Sequence, residues 1–325
     1  MNAAMFINEE EVKSVLNWDD TLEATETALR ATSERKSVQP PRVFAQIFNT
    51  PKWMIAMPGY LEDSRFGGWA CKILSGNPQN VHSPTMSANI VLYDEDSGVL
   101  KAVLSAIEIT SWRTAAASAV ATKHLHVRTG KPQKILAIFG CGDQGKAHAN
   151  CFYHCFNFEE IRLWNRTHQK AANLAAELNN KYHTLKFRAF EGNESCARDA
   201  DVIVTATSPG PVPIVRSEWL KAGVHINAIG VVTSKGEDKR YELSAETYKN
   251  AAVYVDSWEG ANKELTGLLE FGAEMKAEIG DVILGNVQSG NKDRSIFQSL
   301  GMAAEDCAMA RLVYDLHKRK QTKVL

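Results

Sequence analysis

No stretch of the 325-residue sequence approaches the roughly 18 consecutive apolar residues that span a bilayer, so no transmembrane helix is expected. The first residues also lack the basic-then-apolar order of a secretory signal, and Glu9, Glu10 and Glu11 interrupt any apolar run there. Neither sign of charge is in excess: 37 Lys and Arg stand against 38 Asp and Glu, a formal net charge of −1. That balance offers no broad basic surface for nucleic acid or an anionic membrane, so neither is expected as a partner. The basic tail His317-Lys318-Arg319-Lys320 reads as a solvated helix end. The six cysteines (Cys71, Cys141, Cys151, Cys155, Cys196, Cys307) contain no C-x-x-C pair. They read as free thiols of a reducing compartment, and the cytoplasm is the expected location. No H-E-x-x-H or G-x-S-x-G pattern points to a hydrolase, and no internal repeat or low-complexity segment is present.

What is present is a globular composition, 44% hydrophobic and 23% charged, in a chain long enough for two cores. Apolar spacing predicts one or two amphipathic helices over Glu9 to Ser33. Gln39-Pro40-Pro41-Arg42 then breaks the helical pattern. Strand-like runs follow at Val43 to Phe48, Trp53 to Met57, Trp69 to Leu74 and Ala88 to Tyr93. Asp94-Glu95-Asp96-Ser97-Gly98 reads as a hairpin turn into Val99 to Leu104. An alanine-rich helix runs from Ala106 to His126, and Gly130 and Pro132 punctuate its end. From Lys134 the pattern alternates. Strands at Ile135 to Phe139, Ile161 to Trp164, Leu185 to Ala189, Asp201 to Thr205, His225 to Ile229 and Ala252 to Val255 are interleaved with helices. The expected fold is α/β: a Rossmann-type doubly wound parallel sheet over 127–302, plus a mainly antiparallel α+β domain over 1–126 and 303–325. The last helix, Ala303 to Lys318, is expected to pack back on that first domain.

The strongest motif is Gly140-Cys141-Gly142-Asp143-Gln144-Gly145, because it follows an apolar strand and opens a helix. In such a loop Gly140 permits the tight turn, Gly142 lets backbone approach a pyrophosphate, and Gly145 allows close helix–strand packing. The helix N-terminus offers N–H groups to phosphate, so Asp143 and Gln144 join the expected cofactor contacts. At the end of the next strand, where an NAD site usually carries an acid, the chain has Asn165, Arg166 and Thr167. An arginine and a hydroxyl suit a 2′-phosphate, so NADP(H) is the expected cofactor and NAD(H) the second.

His148, Cys151, His154 and Cys155 share the helix after the loop. Their face is expected to pack on the sheet, with no metal bound. Three basic residues carry more weight. Arg42 follows a double proline, Lys72 sits between Cys71 and Ile73 in a strand-like run, and Arg113 lies amid small residues. Such cations invite an anionic partner, and arginine grips both oxygens of a carboxylate.

The motifs Arg113 to Ala119, Gly140 to Gln144, Trp164-Asn165-Arg166-Thr167, His225 to Gly230 and Ser299-Leu300-Gly301-Met302-Ala303 together resemble the ornithine cyclodeaminase/mu-crystallin family over nearly the whole chain, the mu-crystallin branch most closely. The resemblance implies a homodimer formed through the first domain. It also implies that Arg42, Lys72 and Arg113 line the pocket of an imino- or amino-acid substrate and hold its carboxylate. Thr114 would lie near the cofactor phosphates, the stretches Ala206-Thr207-Ser208 and Ala228 to Val231 would border the nicotinamide, and Ser299 or Leu300 would close the pocket. One position departs: Val232 stands where cyclodeaminase-like members carry an aspartate, and the loop from Thr233 to Arg240 is longer. The resemblance therefore implies reduction of an imine carboxylate, a cyclic ketimine above all. An amino-acid dehydrogenase, a cyclodeaminase, or a non-catalytic carrier of NADPH and a thyroid-hormone-like small molecule remain as alternatives.

Overall fold

The structure, a computed structural model, describes residues 4–230, 233–235, 238–289 and 293–324. In chain order the elements begin β1 (Met5–Ile7), α1 (Glu9–Val15), α2 (Trp18–Ser33), β2 (Ser37–Val38), β3 (Val43–Gln46), β4 (Trp53–Leu61), β5 (Gly68–Gly76), β6 (Met86–Tyr93), β7 (Leu100–Ser105) and α3 (Ile107–Leu125). They continue β8 (Ile135–Phe139), α4 (Asp143–Cys155), β9 (Glu160–Trp164), α5 (His168–Tyr182), β10 (Phe187–Phe190), α6 (Asn193–Ala197), β11 (Val202–Thr205) and β12 (His225–Ala228). The last are β13 (Thr233–Lys235), β14 (Asp238–Arg240), α7 (Ala245–Lys249), β15 (Ala251–Val255), α8 (Trp258–Glu264), α9 (Thr266–Leu269), β16 (Glu274–Glu278), α10 (Ile279–Leu284), β17 (Arg294–Gln298) and α11 (Ala303–Val324). These form two compact units, Met1–Arg113 with Gly301–Leu325, and Thr114–Leu300. The chain therefore crosses between units inside α3 and again at the Leu300–Gly301 peptide, whereas the Gly130–Pro132 break only ends the turn before β8.

The first unit is a seven-stranded sheet ordered β1-β7-β6-β5-β4-β2, with β3 paired on β4; β1 alone runs parallel to its neighbour. Strand alternation gives the sheet two different faces. Leu61, Ala70, Ala88, Ile90, Leu92, Ala102 and Leu104 point into a core with Ala24, Ala28 and Ala31 of α2 and Ala304, Cys307, Ala308 and Val313 of α11. The hairpin at 94–98 closes as its residues demand: Gly98 adopts a left-handed φ of 70° and donates its N–H to the Asp94 carbonyl at 2.9 Å. The final helix extends to Val324, past Lys318, because no proline or glycine interrupts Arg319 to Val324.

The second unit is an eight-stranded parallel sheet ordered β10-β9-β8-β11-β12-β17-β15-β16. Its central strands are buried throughout, β11, β12 and β15 at every residue, as expected of a sheet covered on both faces. Two of its strands are not apparent from apolar patterning. The sequence of β16, Glu-Met-Lys-Ala-Glu, reads as polar because it pairs on one side only, at the edge. In β17, Arg294 and Gln298 bracket a three-residue core, although the strand lies between β12 and β15.

Candidate active site and dinucleotide cradle

In the first unit β5 turns Lys72 to the covered face of the sheet, between Met57 and Ile90 on the neighbouring strands. The side chain is 1% exposed, and its Nζ lies 2.8 Å from the Asp306 carboxylate, which is equally buried. Desolvation lowers the Lys72 pKa to about 8. The Asp306 charge opposes that fall and Arg113 adds to it. Arg113, near the middle of α3, places Nη1 3.1 Å from Glu305 Oε2 and Nε 3.5 Å from Asp306 Oδ1. Glu305 and Asp306 stand in the first turn of α11, where the helix dipole favours acids. Glu305 also accepts the Met302 N–H at 3.2 Å, the reach-back half of a capping box.

Gly301 closes this cluster. Its φ is +76°, and a β-carbon there would meet the Arg113 guanidinium at 2.5 Å. From the other side Arg42 Nη2 donates to the Gly301 carbonyl at 3.4 Å. The structure thus brings together all three basic residues singled out from sequence. Glu305, Asp306 and the role of Gly301 were missed. The signal was an acidic pair inside the apolar run Met302 to Ala310, a place where charge needs a buried partner.

In the second unit β8 leads into the glycine loop. Gly140 has a φ of +106°, and a β-carbon there would strike the Ala206 carbonyl oxygen at 2.2 Å; one on Gly145 would meet the Gly140 oxygen at 1.8 Å. At Gly142 nothing lies within 4 Å. Two glycines are thus sterically required and the third leaves open backbone, the arrangement a pyrophosphate needs. Gly142 is also the N-cap of α4, with no side chain capping it, and Asp143 and Gln144 form the first turn. Asn165, just after β9, accepts the Cys141 N–H at 3.2 Å and so ties the loop after β9 to the glycine loop. Arg166 and Thr167 are exposed beside it. These residues fit a dinucleotide.

Thr114 is 4% exposed and opens the buried run of α3. Thr207 is bonded to Glu242, Ser208 is exposed, and Ser299 donates its N–H to the Ala228 carbonyl at 2.9 Å. Val231, expected beside the nicotinamide, and Val232 lie outside the described residues. On α4 both nitrogens of His148 are engaged, by Ser118 Oγ at 2.9 Å and the Gln144 carbonyl at 2.7 Å, and Cys151 Sγ lies 3.8 Å from Cys155 Sγ. Among the described residues no cluster of metal-ligating side chains forms.

A sequence profile of the ornithine cyclodeaminase/mu-crystallin family matches residues 2–321. The ketimine reductase mu-crystallin of Macropus fuliginosus is 34% identical over 317 residues, 95% of this chain and 96% of that protein. Among solved structures, Thermococcus litoralis Delta(1)-pyrroline-2-carboxylate reductase in complex with NADH and L-proline superposes with a TM-score of 0.87 at 26% identity, covering 98% of each chain. An archaeal alanine dehydrogenase dimer with bound NAD gives a TM-score of 0.86 at 28% identity, covering 98% of this chain and 97% of that one. The chain belongs to the ornithine cyclodeaminase/mu-crystallin family.

Proposed function

We propose that the protein is an NAD(P)H-dependent oxidoreductase that reduces an imine bearing a neighbouring carboxylate, a cyclic ketimine first of all. The observation that carries this reading is the buried charge cluster of the first unit. Lys72 and Arg113 are held against Glu305 and Asp306, and Arg42 reaches the Gly301 carbonyl beside them, so three cations converge on one small region of the first unit, where an anionic substrate group would be gripped. Arg42 and Arg113 grip the substrate carboxylate and fix the imine. Reduction adds a hydride to the imine carbon and a proton to its nitrogen. A bound nicotinamide supplies the hydride. Lys72 supplies or relays the proton: with its pKa near 8 it is largely charged at neutral pH yet releases its proton more readily than an ordinary lysine. A basic imine that arrives already protonated lessens that demand.

The similarity to a pyrroline-carboxylate reductase complexed with NADH and L-proline supports this substrate class, because L-proline is a cyclic amine beside a carboxylate. Arg166 and Thr167, with no acid beside them, favour NADPH. The similarity to an alanine dehydrogenase with bound NAD supports a second reading, the oxidation of an amino acid by the same residues.

The open face of the first unit's sheet favours a homodimer. Met54, Trp69 and Ile73 are exposed there, with Trp69 packed on Tyr93 at 5.5 Å between ring centroids, an apolar surface fit for a second copy. Light scattering of the purified protein tests this, and a monomer at micromolar concentration would reject it.

The test of function is NADPH oxidation, followed by its near-ultraviolet absorbance, with a cyclic ketimine carboxylate supplied and NADH run alongside. Turnover faster with NADPH is expected. Binding of NADPH without turnover on cyclic or linear imines would overturn the reductase reading in favour of a carrier. Amino-acid-dependent reduction of NAD(P)⁺ alone would favour the dehydrogenase.

A further inference from the structure

Glu242 lies between buried Tyr241 and Leu243, and no chemistry assigned above uses it. Its side chain is 3% exposed. One oxygen accepts the Thr207 N–H at 2.6 Å and the Thr207 hydroxyl at 2.7 Å, and the other accepts the Thr205 hydroxyl and the Gly230 N–H, each at 2.8 Å. Four donors occupy the acceptor sites of one carboxylate, and all four are neutral. They come from the last residue of β11, the loop after it and the loop after β12. Gly230 is pinned from a second side, because Gln298 Nε2 donates to its carbonyl at 3.4 Å and to that of Ala228 at 3.1 Å. A β-carbon on Gly230 would meet the Glu242 carboxyl carbon at 2.5 Å, so the loop sits directly against the carboxylate.

In a doubly wound sheet, ligands bind outside the carboxyl ends of the strands, at the point where strand order reverses. Here that point lies between β8 and β11. The ends of β8 and β9 carry the phosphate and ribose residues, so the ends of β11 and β12 receive the other half of a dinucleotide, the nicotinamide. That ring is neutral when reduced and cationic when oxidised.

Resting on the dinucleotide reading above, we propose that Glu242 is the positioning residue of the nicotinamide half-site, and that its buried negative charge favours the oxidised form of the ring. It acts through Thr205, Thr207 and Gly230. Glutamine in its place keeps one acceptor oxygen but sets an amide NH2 against the Thr207 or Gly230 N–H, so it removes the charge and loosens one loop together, and only the ratio of the two cofactor affinities reads the charge. Burial raises the Glu242 pKa, and the Thr207, Thr205 and Gly230 bonds oppose the rise. Removing a donor therefore drives the carboxylate toward its neutral acid.

The experiment measures dissociation constants of the full-length protein for NADPH and NADP⁺ by fluorescence and calorimetry, in wild type, Glu242→Gln and Thr205→Val. Glu242→Gln is expected to weaken NADP⁺ about tenfold more than NADPH, the order of one lost charge–charge attraction at an effective dielectric near 20. Thr205→Val, which keeps the side-chain shape, removes one bond that holds the carboxylate charged, so its ratio is expected to move toward that of Glu242→Gln as pH is lowered. If Glu242→Gln does not fold, Thr205→Val alone decides. An unchanged ratio, including equal weakening of both forms, overturns the proposal and leaves Glu242 a purely structural clamp. A wild-type protein that binds neither form overturns the dinucleotide reading itself, a failure visible before any variant is compared.

Discussion

Lys72 Nζ lies 2.8 Å from the carboxylate of Asp306, and both side chains are 1% exposed. Desolvation outweighs the attraction, so the lysine titrates at about 8 in place of 10.5. In the reductive direction kcat/KM is expected to fall as pH rises through that value, since the proton donor is lost. Asp306→Asn removes the charge that holds the proton and is expected to shift the limb to lower pH. Lys72→Met should abolish the limb and lower kcat about 100-fold, the lower range for loss of a general acid. The pH–rate profiles of the three proteins check this. Unchanged turnover in Lys72→Met would remove the lysine from the chemistry.

Gly301 carries two constraints at once, a left-handed backbone and the Arg113 guanidinium against its α-carbon. Gly301→Ala is expected to cost roughly 1–2 kcal/mol in stability from the backbone alone. It should also raise KM for the carboxylate substrate about tenfold by displacing the guanidinium, with kcat less affected, since substrate anchoring is the interaction lost. Thermal denaturation and steady-state kinetics separate the two effects. A lowered melting temperature with unaltered KM would detach Gly301 from the site.

The features legible in the sequence were those fixed by local chemistry. The glycine loop declares itself by its spacing after an apolar strand, and Gly145 has no room for a side chain because the Gly140 carbonyl five residues earlier lies against it. Lys72 and Arg113 stood out as charges among apolar or small residues. Their partners were harder to see. Asp306 is 234 residues from Lys72 along the chain, and Glu242 is 35 from Thr207, so only the fold brings each carboxylate to its donors. β17 was missed because Arg294 and Gln298 make it look polar. Arg294 donates from the strand's first residue to Ser217 Oγ at 2.7 Å and to the Leu220 carbonyl at 2.6 Å, and the Gln298 side chain is spent on Tyr248 and Gly230.

Arg166 tests cofactor choice. It is exposed beside Asn165, whose own side chain is held by Cys141 N–H, so its removal leaves the loop intact. A charge-assisted hydrogen bond to a 2′-phosphate contributes about 1.5–3 kcal/mol, so Arg166→Ala should weaken NADPH roughly 10- to 100-fold. NADH affinity should stay within about twofold, because it lacks the phosphate. Titration with both reduced cofactors checks this, and equal losses would assign Arg166 to shared parts of the dinucleotide.

His148 sets an acid limit on the stability of the second unit. Its Nδ1 faces the Gln144 carbonyl, which can only accept, so that nitrogen carries the proton and Nε2 accepts from Ser118. Burial pushes the pKa from 6.5 to about 4. Between those values the unfolded chain holds more protons than the folded one, so this contribution is complete above pH 6.5 and is lost as pH falls toward 4. Its size is about 3 kcal/mol, and His225, pushed to about 3 by burial, adds loss of the same sign. Denaturant midpoints measured from pH 7 to pH 4.5 should therefore fall, and fall less in His148→Gln. Acid adds its proton at Nε2, which ends acceptance from Ser118 of α3, while the Nδ1–H bond to the Gln144 carbonyl persists and favours the charged ring. NADPH affinity should therefore hold at pH 5 while the denaturant midpoint drops, and a parallel loss of affinity would show that the histidine also governs the first turn of α4.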